Sequence, residues 1–376
     1  MSGFTLANYQ VLIASPVDGT TLAVLDASAF NEIKYQRVLN GIAECSLTLP
    51  STSPYADFLA PVDTFIEIYR TNPLKPTTLI KEETFFQRSY DRLRQQNDDL
   101  LVVGGKSLNY LLDGRVIDPD DDPLSAGGYS TQAGKADDVL LYYANYNIGP
   151  LASTPRQIQG LTLAPSQQAG LPVGARLRHD SLLKTFQDLG FRGGVDFIIE
   201  RTFLNNLLLT ILPMGRDLRM STNYPFAPFV LADPDRGNLT DPNFTLDNKA
   251  TGNFIYSTGQ GQPPNQIVVK MAGDSVNDSP YARREFVNSA NNIDKTDPLG
   301  QLTSAQIELR NRRPIKSFTF TPLSTQPGTT YRVDLDVADY ITAKWGNVTE
   351  NLRVSQVDID VTSGGEQIAI TVQLMV

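Results

Sequence analysis

Residues 352–375 read LRVSQVDIDVTSGGEQIAITVQLM. From Val357 onward, apolar side chains alternate with Asp358 and Asp360. After Ser363-Gly364-Gly365-Glu366, Ile368, Ile370, Val372 and Leu374 take up the alternation again. A period of two places successive side chains on opposite faces of a strand. The Gly-Gly pair supplies the backbone freedom of a tight turn. The stretch therefore predicts an antiparallel hairpin with an apolar face and an acidic one. The phase changes between Val354 and Val357, which predicts a bulge near Ser355. Upstream, Tyr331, Val333, Leu335 and Val337 alternate with Arg332, Asp334 and Asp336, and predict a further strand of the same meander.

The other end of the chain carries the same signature. Ala43, Cys45, Leu47 and Leu49 alternate with Glu44, Ser46 and Thr48, and Cys45 falls on the apolar side as a small core residue. NEIKYQ, TFIEIYR, ETFFQRSY and DLLVVGG predict further short strands, separated by turn-rich segments such as TNPLKP. Strands this short and closely spaced point to a barrel or a sandwich.

Between the two β regions the pattern is mixed. Leu108, Leu111 and Leu112 predict one or two helical turns ended by Gly114. ADDVLLYYANYNIG predicts a helix with Asp137 near its start and Gly149 past its end. LASTPRQIQGLTLAPSQQAGLPVG, 151–174, reads as a long loop. SLLKTFQDLG predicts a second helix, capped by Asp180 and closed by Gly190, followed by strands in VDFIIER and NLLLTILP. Residues 216–265 read as loop-rich. QIVVKMAG and IKSFTFTP read as strands, and TSAQIELRNRR as a helix capped by Thr303 or Ser304. The division predicted is a first β domain over 1–117 and a loop-rich insertion with one helix over 118–180. A small α+β module with its loops follows over 181–248, then a second β domain over 249–376.

Composition narrows the chemistry. With 376 residues, two to four domains are expected. Forty-one acids against 32 bases leave a formal charge of −9, a poor basis for gripping nucleic acid from outside. One cysteine excludes an intrachain disulfide. One cysteine with one histidine excludes zinc sites of the four-Cys or Cys₂His₂ type, and any triad would have to use His179. No run of 18 apolar residues occurs, and the N-terminus does not read as a secretory signal. No Walker A motif, dinucleotide fingerprint or nucleophile elbow occurs.

The remaining candidates have plain readings. The run Asp118, Asp120, Asp121, Asp122 offers oxygens for Ca²⁺ but lacks the EF-hand order, and reads as a solvated acidic loop. His179 reads as a polar surface or packing residue. Asn238, Asn243 and Asn347 lie in chance sequons. Arg310, Arg312, Arg313 and Lys316 suit the C-terminal end of a helix, or an interchain salt bridge. Trp345 reads as an anchor for a loop or an interface. Tyr142, Tyr143 and Tyr146 could stack on sugars, but read more simply as a helix packing face. No catalytic, cofactor-binding or metal-ligating residue is assigned. Long loops at 118–180 and 216–265 read as surfaces for partners.

The order of features resembles the hub protein at the tail tip, or baseplate, of long-tailed bacteriophages, of the non-contractile siphovirus type. The resemblance rests on FNEIKYQRVLNGIAECSLTLP (30–50) and on VVGGKSLNYLLDGRVI (102–117), with its Leu111, Leu112, Asp113 and Arg115. It continues in Tyr281-Ala282-Arg283-Arg284-Glu285 and in the closing meander. Ala282 stands where such hubs carry Gly, and Val337-Ala338-Asp339-Tyr340 replaces a Gly-Asp-like corner. The resemblance implies a mainly β fold of two antiparallel β-barrel hub domains flanking a small α+β module and long loops. It implies a structural homotrimer, not an enzyme, with no cofactor. Its ring would join the sixfold tail tube and distal tail protein to a threefold tip, carrying tip fibre or plug proteins. The lumen would pass the tape measure protein and then genomic DNA, and an acidic lumen would repel phosphate. Such a protein is made in the host cytoplasm and resides in the virion, without inserting itself in a membrane. Two other classes remain: a virion-associated cell-wall-degrading enzyme, which needs a carboxylate pair in a cleft, and a carbohydrate- or receptor-binding tail module.

Overall fold

The computed structural model describes residues 8–374, apart from 96–97, 126, 221–228, 263, 291–292, 294–297 and 324–327. Parts of the NYPFAPFV and NNIDKTDPLG stretches therefore lie outside the described residues.

The N-terminal strands are β1 (Tyr9–Ala14), β2 (Thr21–Asp26), β3 (Glu32–Val38) and β4 (Glu44–Pro50). After a single helical turn, α1 (Ala56–Leu59), come β5 (Phe65–Asn72), the 21-residue β6 (Lys75–Gln95) and β7 (Asp98–Ser107). Glycine is required where β7 crosses the core. A Cβ on Gly105 would stand 2.8 Å from Cys45 Sγ and 3.0 Å from Phe85 Cβ. Cys45 is buried there, and burial pushes its thiol up, so it packs as a small apolar side chain.

The middle of the chain builds a smaller body. β8 (Ser130–Lys135) pairs with β10 (Pro172–Leu177), with α2 (Ala136–Asn147) between them. β9 (Leu161–Leu163) lies in the stretch read as a long loop, and adds parallel to a later strand. α3 (Leu182–Gly193) leads into the hairpin β11 (Val195–Phe203) and β12 (Asn206–Pro213). α3 differs from expectation at both ends. Asp180 accepts the N–H of Arg178, so Ser181 is the cap, accepting from Lys184 N at 3.3 Å. Gly190 stays helical, and Gly194, at φ 68°, ends the helix.

The region 216–265 is more regular than its composition indicates. It holds β13 (Asp217–Leu218), β14 (Leu231–Ala232), β15 (Leu239–Asp247) and β16 (Phe254–Thr258). β16 centres a three-stranded sheet with β17 (Val268–Ala272) and β18 (Glu285–Ser289), and α4 (Pro298–Asn311) packs on it. α4 starts at Pro298, where a missing N–H costs nothing, so Thr303 and Ser304 lie inside the helix rather than capping it.

The chain closes with β19 (Ile315–Pro322), β20 (Tyr340–Trp345), β21 (Val348–Thr362) and β22 (Gly365–Gln373). The predicted hairpin is β21–β22, and the ladder slips between Val354 and Gln356, placing the bulge at Ser355. The strand predicted at 331–337 is absent. Tyr331 and Leu335 are buried as the alternation requires, but they face each other in an isolated bridge across a turn. Asp334 causes this: its carboxylate accepts the N–H groups of Gly328 and Thr330 at 2.8 and 2.9 Å, which folds the backbone back.

The fold is mainly β. Fourteen strands form one sheet, with the path β15-β19-β22-β21-β3-β4-β7-β6-β5-β1-β2, and β20 on β21 bringing in β13 and β14. The two β regions are thus hydrogen-bonded to each other through β3 and β21. They also share one apolar cluster, in which Val11, Ile33 and Leu47 pack with Phe318, Val354 and Ile359. Each such side chain, fully buried, contributes roughly 1.5–3 kcal/mol. α2, α3, β11 and β12 bury a second cluster against Phe65 and Phe86. Among the described residues, no helix is long and apolar enough to cross a membrane.

Candidate functional site: a polar sheet face over a buried charge network

Alternation along β3, β4, β21 and β22 sends Ile33, Tyr35, Leu47, Ile359 and Ile370 into the core. The same alternation sends Lys34, Gln36, Ser46, Asp358, Asp360 and Gln367 to the other face. Register then decides the neighbours: Asp358 stands opposite Gln36, and Asp360 opposite Lys34. Gln36 Nε2 donates to Asp358 Oδ1 at 2.9 Å, and Gln356 Nε2 donates to the same oxygen at 2.8 Å. Lys34 Nζ lies 2.8 Å from Glu32 and 3.5 Å from Asp360. A concavity of about 670 Å³ lies over this face. Of its charged lining residues, Glu44, Asp241, Asp358 and Asp360 are acids and Lys34 is a base. The charged groups of this surface are mainly acidic, and they stand on paired strands of one sheet.

Asp334 and Asp336 do not join that face. Asp336 lies in a buried network under the turn, 2.5 Å from Arg37 and 2.7 Å from Arg332. Burial pushes its carboxyl up, but Arg37 and Arg332 outweigh this and hold it below the usual range. Tyr331 accepts from Arg37 at 3.0 Å and donates to the fully buried Glu82 at 2.6 Å. Arg70 donates to both oxygens of Glu366, each at 2.7 Å, and Tyr9 donates to the same carboxylate. Apart from the local Arg332–Asp336 pair, each of these links joins the first β region to the last.

The α+β body is docked by polar side chains as well. Asn40, in the β3–β4 turn at φ 51°, donates to Asp196 at 2.8 Å and accepts the N–H of Phe197 at 2.9 Å. Asn109 donates to Gly41 O and accepts the N–H of Ile199, both at 3.0 Å. Arg353 pairs with Asp196, both nearly fully buried. A cavity of about 250 Å³ lies at this junction, and Glu83 lines it. Burial pushes the Glu83 carboxyl up to about 7, against the pull of Arg37. Sequence reasoning missed Arg37, Asn40, Glu82, Asn109, Asp196, Arg353 and Glu366. No local pattern marks them, because every partner is remote in the chain.

The other sequence candidates take structural places. Asp118 accepts the N–H of Asp120, Asp121 lies 2.7 Å from Arg156, and Asp122 accepts from Ser130 and Tyr142. The acidic run is thus tied into the fold rather than left as a solvated loop. Among the described residues, no group of three or more His, Cys, Asp or Glu is arranged to hold a metal ion. His179 is exposed in a turn at φ 57°. Tyr143 is buried and Tyr142 bonds Asp122, so these rings form the packing face read in the sequence. Asn238 is buried, bonding Leu231 O at 2.8 Å. Trp345 is half exposed at the tip of the β20–β21 hairpin. Arg310 and Arg312 lie over Phe191 and Phe286, and Lys316 pairs with Glu350.

A family model described as Siphovirus ReqiPepy6 Gp37-like protein matches residues 18–372. No curated protein matches the sequence. Three solved structures share the fold at low identity. The 43 kDa tail protein of prophage MuSo2 from Shewanella oneidensis has a TM-score of 0.60 and 11% identity, covering 96% of this chain and 98% of that one. The tail protein from Neisseria meningitidis MC58 has a TM-score of 0.55 and 11% identity, covering 97% and 96%. Prophage tail protein gp18 from Listeria monocytogenes has a TM-score of 0.52 and 10% identity, covering 97% and 94%.

Proposed function

The chain belongs to the Siphovirus ReqiPepy6 Gp37-like family, a family of phage tail proteins, and from that premise we propose that it is a structural hub of the tail tip. Three copies close a ring, and each contributes two β domains to a quasi-sixfold circle. On this reading, the sheet on each side of the β3–β21 ladder supplies the barrel of one ring position. The ring joins the tail tube and distal tail protein to a threefold tip bearing fibre or plug proteins. The tape measure protein and then DNA pass through its lumen. The protein acts in the virion, as scaffold rather than enzyme.

One observation carries this reading. A family match over 18–372 coincides with two antiparallel meanders joined edge to edge in one chain. That arrangement lets one chain fill two neighbouring positions of a ring. The acidic concavity supports it further, since a negative wall repels phosphate and lets DNA slide.

Native mass over a wide concentration range tests it. A trimer of the 41.4 kDa chain, with a central channel visible on imaging, is expected. A stable dimer with no ring, even with tail-tube protein added, would refute it.

A further inference from the structure

α3 and α4 end against each other. Arg310, in the last turn of α4, lies 3.9 Å over the Phe191 ring of α3. Arg192 is the next residue on α3, and Arg313 lies just past α4. These three arginines line one crevice of about 440 Å³, whose opposite wall is Met271, Ala272 and Gly273 at the end of β17.

Cations at helix C-termini suit the helix dipole, which accounts for one arginine on each helix. It does not account for three in one crevice. Among the described residues, none of the three has a carboxylate within 4.0 Å. Arg192 reaches Gly174 O at 3.4 Å. Arg310 is held below its ordinary value by burial and by the nearby charges of Arg313 and Arg192. Asp188, one turn back on α3, lies near Arg192 without forming an ion pair; burial pushes its carboxyl up, and Lys184 and Arg192 pull it down. In a chain of net charge −9, three arginines that, among the described residues, form no ion pair share this crevice.

The wall of the crevice is equally incomplete. β17 pairs with β16 on one side and, among the described residues, with no strand on the other. A free strand edge is a template for another strand. Ile307 and Leu309 add apolar lining. A lone phosphate would leave the edge and the apolar wall unused. An extended chain with carboxylates at alternate positions would use all three features.

We propose that the crevice between α3, α4 and β17 receives an extended acidic segment of another protein, added as a strand on β17 with its carboxylates on Arg192, Arg310 and Arg313.

The test uses the full chain and a fluorescent peptide of alternating Glu and Val. A matched Gln–Val peptide and inorganic pyrophosphate serve as controls. The Glu peptide is expected to bind, to weaken at least about tenfold between 50 and 300 mM salt, and to protect the amides of 268–272 from exchange. Arg313→Glu, on an exposed side chain past the helix, is expected to lower affinity at least about tenfold with an unchanged fold. Arg192→Glu gives a second, independent reading. Equal binding of the Gln peptide overturns the proposal, as does an unchanged affinity in both folded variants. No binding at low salt overturns it too. Displacement by pyrophosphate without protection of 268–272 reduces the crevice to a small-anion site. Competition by unlabelled copies of this chain overturns the assignment of the segment to another protein.

Discussion

Arg353 is 2% exposed in its side chain and faces Asp196 at 6%, 157 residues away in sequence. Its Nε also donates to Ala338 O at 2.8 Å. Removing one partner of such a pair strands a buried charge, which costs about 3–5 kcal/mol. Asp196→Ala is therefore expected to lower the denaturation midpoint strongly. Asp217→Ala, which breaks an exposed pair with Arg219, is expected to cost under about 1 kcal/mol. Comparable losses in a denaturant titration would show that the burial of Arg353 is not what matters. Glu83 makes a pH-dependent contribution. Its carboxyl releases a proton near 4.5 when free and near 7 in the folded chain. Between those values the folded state holds more protons, so stability falls as pH rises. Glu83→Gln should have a higher Tm than the parent at pH 8 and an equal one at pH 4. A uniform offset across pH would count against this. Asp336 acts in the opposite sense: its contribution is complete above the ordinary carboxylate range and is lost as pH falls below it.

At the scale of elements, close approach explains what propensity does not. Gly193 ends α3 against α2, and a Cβ there would stand 2.1 Å from Ala136 Cβ. Alanine is the better helix former, yet Gly193→Ala is expected to cost about 1–3 kcal/mol through overpacking. The double variant with Ala136→Gly should recover part of that loss, and additive losses in thermal melts would exclude the steric account. The β21–β22 hairpin and its bulge at Ser355 were legible in the sequence because pairing is local and the period is two. The stretch at 331–337 has the same period and is no strand. Alternation reports which side chains are buried, while Asp334 binding the backbone N–H groups of Gly328 and Thr330 decides the backbone path. Short strands such as β9 and β14 were not legible, since two or three residues carry no period.

Over the whole molecule, the β regions at the two ends of the chain make one sheet and one core, with the α+β body and the α4 sheet as outgrowths. Residues 150–175 contain β9, which completes the β11–β12 sheet, and the start of β10. Deleting that stretch would damage the fold rather than isolate a partner contact. The acidic face offers a cleaner test. Asp358 and Asp360 lie opposite the core, so, on the proposed hub reading, reversing both to Lys is expected to leave the ring assembled and to slow DNA ejection. Unchanged ejection kinetics from correctly built tips would remove this face from the lumen. Asp334 and Asp336 are not suited to that experiment, because they hold the buried turn.

The sequence by itself determined the β class, the main helices, the closing hairpin with its bulge, the core place of Cys45 and the likeness to phage tail hubs. Each of these rests on patterns within about twenty residues, or on their order along the chain. Only the tertiary structure decided that β3 pairs with β21, that Arg37, Glu82 and Asp336 meet under one turn, and that three arginines share a crevice beside a free strand edge. Those outcomes depend on which remote segments are brought together. A charged residue looks the same in sequence whether it faces water or a partner 300 residues away, and burial alone separates the two.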